Sequence, residues 1–359
     1  MTLTKIPDFS ETRLGEELSN KATTSSSLPD ELARLWDERP SVIRAFVESR
    51  PQYQQLCSEI EYILRKRIGE NGIEYSTITS RAKTLRSFAE KILRKEYQNP
   101  LHEITDLAGV RLVYLYKTDL PAIEMIILSE FEIVERIDKL EEQEADRFGY
   151  GALHYLIRLT RKSSGARYDD LKGLMCELQV RTIGQDTWAI FDHHLSYKHE
   201  SDVPKLLRRK INSLSGLFET ADDQFDQIRR DREEYRKAIK SKLENRYKAL
   251  DQEFNLDSLS EYLSWRYPDR PVGDDARLSL LLSKATEFGY KSLSEIDQLL
   301  DRTEKAREAL SKVSLSAPSS AGDTIRAIAF EQPEERKRWH PSEERQFEKF
   351  GFLLDRRTR

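Results

Sequence analysis

Two carboxylates stand where short strand-like segments place them, Asp106 just ahead of GVRLVYLY and Glu177 inside CELQVRT. Close by in the chain come Arg81, Lys83, Arg86, Lys91, Arg94 and Lys95, read here as cations along one helix over RAKTLRSFAEKILRKEY. A magnesium ion keeps much of its water shell and needs only one or two carboxylates beside phosphate oxygens. Two sheet carboxylates with Arg and Lys near them therefore suit a metal–nucleotide site. Taken singly, each carboxylate also reads as a solvated acid, and the cations as a solvated face. Other chemistries find less support. There is no GxxxxGK[ST] and no GxGxxG, which argues against a P-loop or Rossmann site. The histidines are His102, His154, His193, His194, His199 and His340; none lies in HExxH, and no Cys/His set has zinc-finger spacing. Cys176 adjoins Glu177 on a face that reads as buried, a poor setting for a nucleophilic thiol.

The elements that must position these groups follow from periodicity. GVRLVYLY (109–116), EFEIVERID (130–138), ALHYLIRLT (152–160) and MCELQVRT (175–182) are short and rich in β-branched and aromatic residues, and read as strands. DLPAIEMIILSE between the first two reads as a helix, so the middle of the chain predicts an α/β core on a mixed sheet. Strand alternation places Glu177, Gln179 and Arg181 on one face against Leu178 and Val180, and His154 with Arg158 opposite Leu153, Tyr155, Ile157 and Leu159. Upstream, apolar residues at three- and four-residue spacing from Leu32 to about Arg67 predict helix. Downstream, Leu207, Ile211, Leu214, Phe218, Ala221, Phe225 and Ile228 predict a long helix or helical hairpin with a packing seam, internal to the chain or used for self-association. Ser258 to Glu261 and Ser292 to Glu295 read as capping boxes, and SAPSSAGD (316–323) as a break before a mixed-charge tail.

These segments divide the chain into a polar N-terminal arm (1–30), an α/β domain with N-terminal helices (31–204), the long helical segment (205–254) and an all-α module (255–359). The 359 residues are 34% charged and 38% hydrophobic, with a net charge of −4 and a mean hydropathy of −0.69. That balance argues against a general nucleic-acid coat protein. No window approaches a membrane span, the first twenty residues hold no apolar signal core, and two cysteines outside any CxxC suit a reducing cytoplasm.

SRAKTLRSFAEKI (80–92), DLAGVRLVY (106–114), FGYGALHY (148–155), ELQVRT (177–182) and WAIFDHHLSYK (188–198), in that order, resemble the RelA/SpoT synthetase domain across residues 56–230. The resemblance implies a nucleotidyltransferase-like mixed sheet flanked by helices, and transfer of the β,γ-pyrophosphate of ATP to the 3′-hydroxyl of GDP or GTP, with Mg2+ as cofactor. It implies Arg81 and Arg111 around the adenine, Lys83 and Lys91 on ATP phosphates, and Asp106 on the metal. Glu177 would orient or deprotonate the acceptor hydroxyl and share the metal. Tyr150 would stack on the guanine and His154 would stand near the acceptor's phosphates or sugar, with Gln179, Arg181 and His193 at further matching positions.

One motif departs from the family's pattern. Asn-Gly-Tyr, a polar residue, Ser, any residue and His is here Phe148-Gly149-Tyr150-Gly151-Ala152-Leu153-His154. Loss of site polar groups can change discrimination between close acceptors by orders of magnitude. Two alternatives therefore stand beside the guanosine synthetase: a toxin-type transferase acting on adenosine nucleotides or the tRNA 3′ end, restrained by its C-terminal module or a partner protein, and an inactive nucleotide-binding regulator. The short segment ahead of the motifs holds no histidine, so no family-type hydrolase site is expected there.

Overall fold

The computed structural model describes residues 35–95, 97–138, 151–195, 205–243, 250, 253–314 and 318–354. The 1–30 arm and Tyr150 lie outside them, and of His193 the backbone alone is described. The chain divides into two compact units, 1–226 and 227–359.

In the first unit, α1 (Pro40–Glu70) buries Phe46, Leu56, Ile60, Leu64 and Ile68, the face its three-and-four spacing predicts. The sheet has β1 (Tyr75–Ala82), β2 (Ala108–Tyr114), β3 (Phe131–Asp138), β4 (Leu153–Leu159) and β5 (Cys176–Thr182) in the order β1-β2-β5-β4-β3. β2 and β5 pair in parallel and the other neighbours antiparallel, so the fold is mixed α/β as expected. The helix expected between β2 and β3 runs from Leu120 to Glu130. Strict alternation puts Cys176, Leu178 and Val180 into the core while Glu177, Gln179 and Arg181 stay half-buried on the opposite face. β4 alternates likewise, with His154 and Arg158 on one side and Leu153, Tyr155, Ile157 and Leu159 on the other.

Two expectations change here. YSTITSRA is a strand that periodicity does not announce; on this sheet edge Ile78 alone is buried, so little apolar alternation marks it. The basic helix expected over 81–97 begins at Leu85 as α2 (Leu85–Arg94), because the Thr84 hydroxyl caps it by accepting from the Ser87 N–H. Arg81 thus belongs to β1, and Lys83 to the connection, where its N–H donates to the Leu107 carbonyl at 2.8 Å.

Taking Leu120–Glu130 as α3, the chain leaves β5 directly into α4 (Ile183–Leu195), and α5 (Lys205–Leu243) follows. In the first unit α5 buries Ser215, Asp222 and Asp226, whereas Leu217 and Phe225 are 63% and 42% exposed. The seam expected at Phe225 therefore does not pack inside the chain; polar groups bonding the rest of the unit occupy the buried side.

The second unit packs α6 (Leu256–Arg266), α7 (Asp275–Glu287), α8 (Leu293–Ser311), α9 (Ser320–Glu331) and α10 (Pro341–Phe350) with the C-terminal part of α5. Ser292 and Glu295 form the expected capping box. The other box is shifted: Asn255 is the cap and Ser258 its reciprocating third residue, while Glu261 pairs with Arg236. SAPSSAGD is not simply a break, since Ser319 caps α9 and Ser320–Asp323 form its buried first turn. Asp323 there joins the buried Arg307 and half-exposed Arg270 in one ion-pair network.

Candidate functional site

Strand pairing fixes the site's width. In β1–β2, Arg81 lies opposite Gly109 and Thr79 opposite Arg111, so Arg81 and Arg111 are diagonal neighbours on one face. Such neighbours stand about 7–8 Å apart, the separation of two guanidinium planes with one aromatic ring between them. Gly109 puts no side chain in that gap, and the residues named line a cavity of about 710 Å³.

Next along the cavity wall stands Asp106. Its Oδ2 accepts from Lys83 Nζ at 2.5 Å and its Oδ1 from Lys91 Nζ at 2.9 Å. Burial pushes the Asp106 carboxyl upward, but the two ammonium donors more than offset it and hold the group below its ordinary value. Lys91 reaches Asp106 from the last turn of α2, a helix whose Phe88, Ala89 and Ile92 anchor it in the core.

Parallel pairing of β2 with β5 aligns Gly109 with Glu177, Arg111 with Gln179 and Val113 with Arg181. Glu177 Oε1 accepts from His154 Nδ1 at 2.9 Å and from Gln179 Nε2 at 3.0 Å. An ionised carboxylate only accepts, so His154 carries its proton on Nδ1. That hydrogen bond is the chief cause of the lowered Glu177 pKa; burial and the nearby Asp106 charge oppose it, and Gln179 assists. Glu177 is therefore an acceptor-only group at neutral pH.

Asp106 and Glu177 both line the cavity and feel each other's charge. Two hard oxygen donors lining a cavity that also holds Arg81, Lys83 and Arg111 fit a magnesium ion that takes its other ligands from phosphate and water. Among the described residues no three His, Cys, Asp or Glu side chains group to hold a metal; the protein's share would be these two.

Sequence reading missed a third carboxylate. Asp186, in the first turn of α4, places Oδ1 3.1 Å from Arg111 Nη1 and 3.6 Å from Arg181 Nη1. A Thr-x-x-Gln signal did announce that turn. Thr182 N–H donates to Gln185 Oε1 at 2.9 Å and Gln185 N–H to Thr182 Oγ1 at 3.1 Å, a capping box. Arg181 is held below the usual guanidinium value by burial and by the adjacent Arg111 charge. The thiols take no part: burial pushes Cys57 and Cys176 upward, Cys176 well above its ordinary value.

The structure thus brings Arg81, Lys83, Asp106, Arg111, Glu177 and Gln179 around one cavity, with Lys91 and His154 bonded to its carboxylates. Arg181 joins them through Asp186.

Residues 80–202 match the family described as a region found in RelA / SpoT proteins. Over 200 residues the chain is 26% identical to the GTP pyrophosphokinase YjbM of Bacillus subtilis (strain 168), covering 53% of this chain and 91% of that protein. The GTP pyrophosphokinase YwaC of the same organism is 28% identical over 169 residues, covering 45% of this chain and 77% of that protein. Among solved structures, a GTP pyrophosphokinase family protein from Streptococcus pneumoniae is 23% identical, covers 52% of this chain and 94% of that one, and gives a TM-score of 0.45.

Proposed function

From the match of residues 80–202 to the region found in RelA / SpoT proteins, we propose that this chain is a pyrophosphokinase that moves the β,γ-pyrophosphate of ATP to the 3′-hydroxyl of GDP or GTP. In that reaction the acceptor's 3′-oxygen bonds to the β-phosphorus, and the β-phosphorus bond to the bridging oxygen breaks. AMP leaves with that oxygen, and the hydroxyl proton passes to Glu177. The observation that carries the reading is one sheet face bearing a diagonal arginine pair and a histidine-bound Glu177, with a lysine-bound Asp106 in the turn before β2, around one cavity.

Each residue has a task that its setting suits. Arg81 and Arg111 hold the adenine between guanidinium planes, a role lysine cannot fill. Lys83 and Lys91 bind ATP phosphates and meanwhile keep Asp106 ionised. Asp106 and Glu177 hold magnesium, which supplies charge neutralisation at the phosphoryl oxygens when bound. Glu177 accepts the 3′-hydroxyl, and His154, fixed through Nδ1, turns Nε2 to the acceptor. Tyr150, Gln179, Arg181 and His193 complete the acceptor side. Because transfer moves a highly charged group, positioning and electrostatics supply most of the acceleration. The reading also takes the 205–250 helices as a self-association surface and the cytoplasm as location. No helix among the described residues is long and apolar enough to cross a membrane.

The test is AMP release from labelled ATP and magnesium, with GDP, GTP, ATP and bulk tRNA offered in parallel. Label on GDP or GTP supports the reading, and label only on adenosine nucleotides or tRNA replaces it with the toxin-type transferase. Glu177→Gln should lower turnover by about 10²–10⁴-fold while nucleotide still binds; unchanged turnover would remove Glu177 from the chemistry.

A further inference from the structure

Two arginines from neighbouring strands share one carboxylate. Arg111 and Arg181 are like charges on the same sheet face, and Arg181 is only 11% exposed. Asp186 Oδ1 stands between them, within ion-pair distance of both, yet it is buried and accepts no aligned hydrogen bond. What joins the three groups is therefore charge in a poorly solvated place, where such contacts are strong.

Asp186 is itself held from behind. The Asp222 carboxylate, fully buried on α5, accepts from the Thr182 hydroxyl and from the Gly184 N–H at 3.2 Å. Those two residues flank the start of α4, where an anion is also favoured by the helix dipole. Together with the Thr182–Gln185 box, this locks the turn from which Asp186 projects.

We infer that Asp186 is a positioning residue for the nucleotide donor: by ion-pairing with Arg111 it holds that guanidinium at the cavity wall opposite Arg81 and separates it from the charge of Arg181. The inference rests on the reading above only in assigning Arg111 to ATP. It places Asp186 one step from the substrate, acting through Arg111.

A double-mutant cycle on the full chain tests this. Binding of a methylene analogue of ATP, and separately of GDP, is measured for wild type, Asp186→Asn, Arg111→Ala and the double variant. Asp186→Asn should weaken the analogue at least tenfold, change GDP less than twofold, and add nothing to Arg111→Ala. Asp186→Glu should recover most of the loss. Multiplying losses, equal weakening of both nucleotides, or unchanged analogue affinity would each overturn the inference. If Asp186→Asn does not fold, Asp186→Ser replaces it; failure of both to fold would make Asp186 a structural residue and also overturn it. Wild type that binds the analogue without releasing AMP would sink the transfer reading and leave this inference decided by the cycle. Absence of analogue binding in wild type would end both.

Discussion

At the scale of single residues, the hydrogen bond from His154 to Glu177 sets the charge state on which the proposed chemistry depends. Glu177 is held below its ordinary value chiefly by that bond, so it stays ionised to a lower pH than a free glutamate would. The acid limb that Glu177 sets on the transfer rate should accordingly lie lower in wild type than in a variant lacking the bond. Removing the bond in His154→Ala should move the limb to higher pH, as the pH dependence of kcat/KM in the variant's residual activity would show; an unmoved limb would detach His154 from Glu177's ionisation. The sign for stability is the same: ionised Glu177 stabilises the fold above its unfolded pKa, and this is lost as pH falls through the lower folded value. The common face of Glu177, Gln179 and Arg181, and that of His154 and Arg158, could be read in the sequence from strand alternation, because a period of two leaves no freedom of side. Asp186 could not, since helix periodicity says nothing about which strand side chains a first turn will meet.

At the scale of elements, the β5–α4 turn admits no side chain at Gly184. A Cβ there would lie 2.8 Å from the buried Asp222 carboxylate, which is already committed to Thr182 and the Gly184 N–H. Gly184→Ala should therefore destabilise the first unit by about 1–3 kcal/mol, as overpacking does. Thermal unfolding would show it as a lowered midpoint, and an unchanged midpoint would mean that Asp222 can swing aside. β2, β4 and β5 were legible because they alternate strongly or pair centrally, and the edge strand β3, which buries Phe131 alone, because Phe131, Ile133, Val134 and Ile137 give it a strand composition. β1 was not, since an edge strand carrying hydroxyl residues with one buried Ile resembles a loop in composition. α5 was legible only in part: Phe218 of its apolar stripe packs against Trp188 and Ile239 is buried, but Phe225 is exposed, and the fully buried side in the first unit is Ser215, Asp222 and Asp226, chosen by hydrogen bonds that periodicity does not register.

At the scale of the whole molecule, each unit has an apolar core of its own. Leu299, fully buried in the second unit, should cost about 2–5 kcal/mol on replacement by Ala. Thermal unfolding of Leu299→Ala should show that loss as a lowered midpoint, and an unchanged midpoint would mean that the second unit's core closes over the gap. The parallel pairing of β2 with β5 has its own consequence for how the molecule comes into being. Partners such as Gly109 and Glu177 are about 70 residues apart, and the entropy of closing so long a loop must be met before the pairing returns any contact energy. β1 with β2, and β3 with β4, close over shorter distances and can form beforehand. Arg111 on β2 and Glu177 on β5 should thus be strangers until late in folding, and on a ribosome they cannot meet before β5 has emerged.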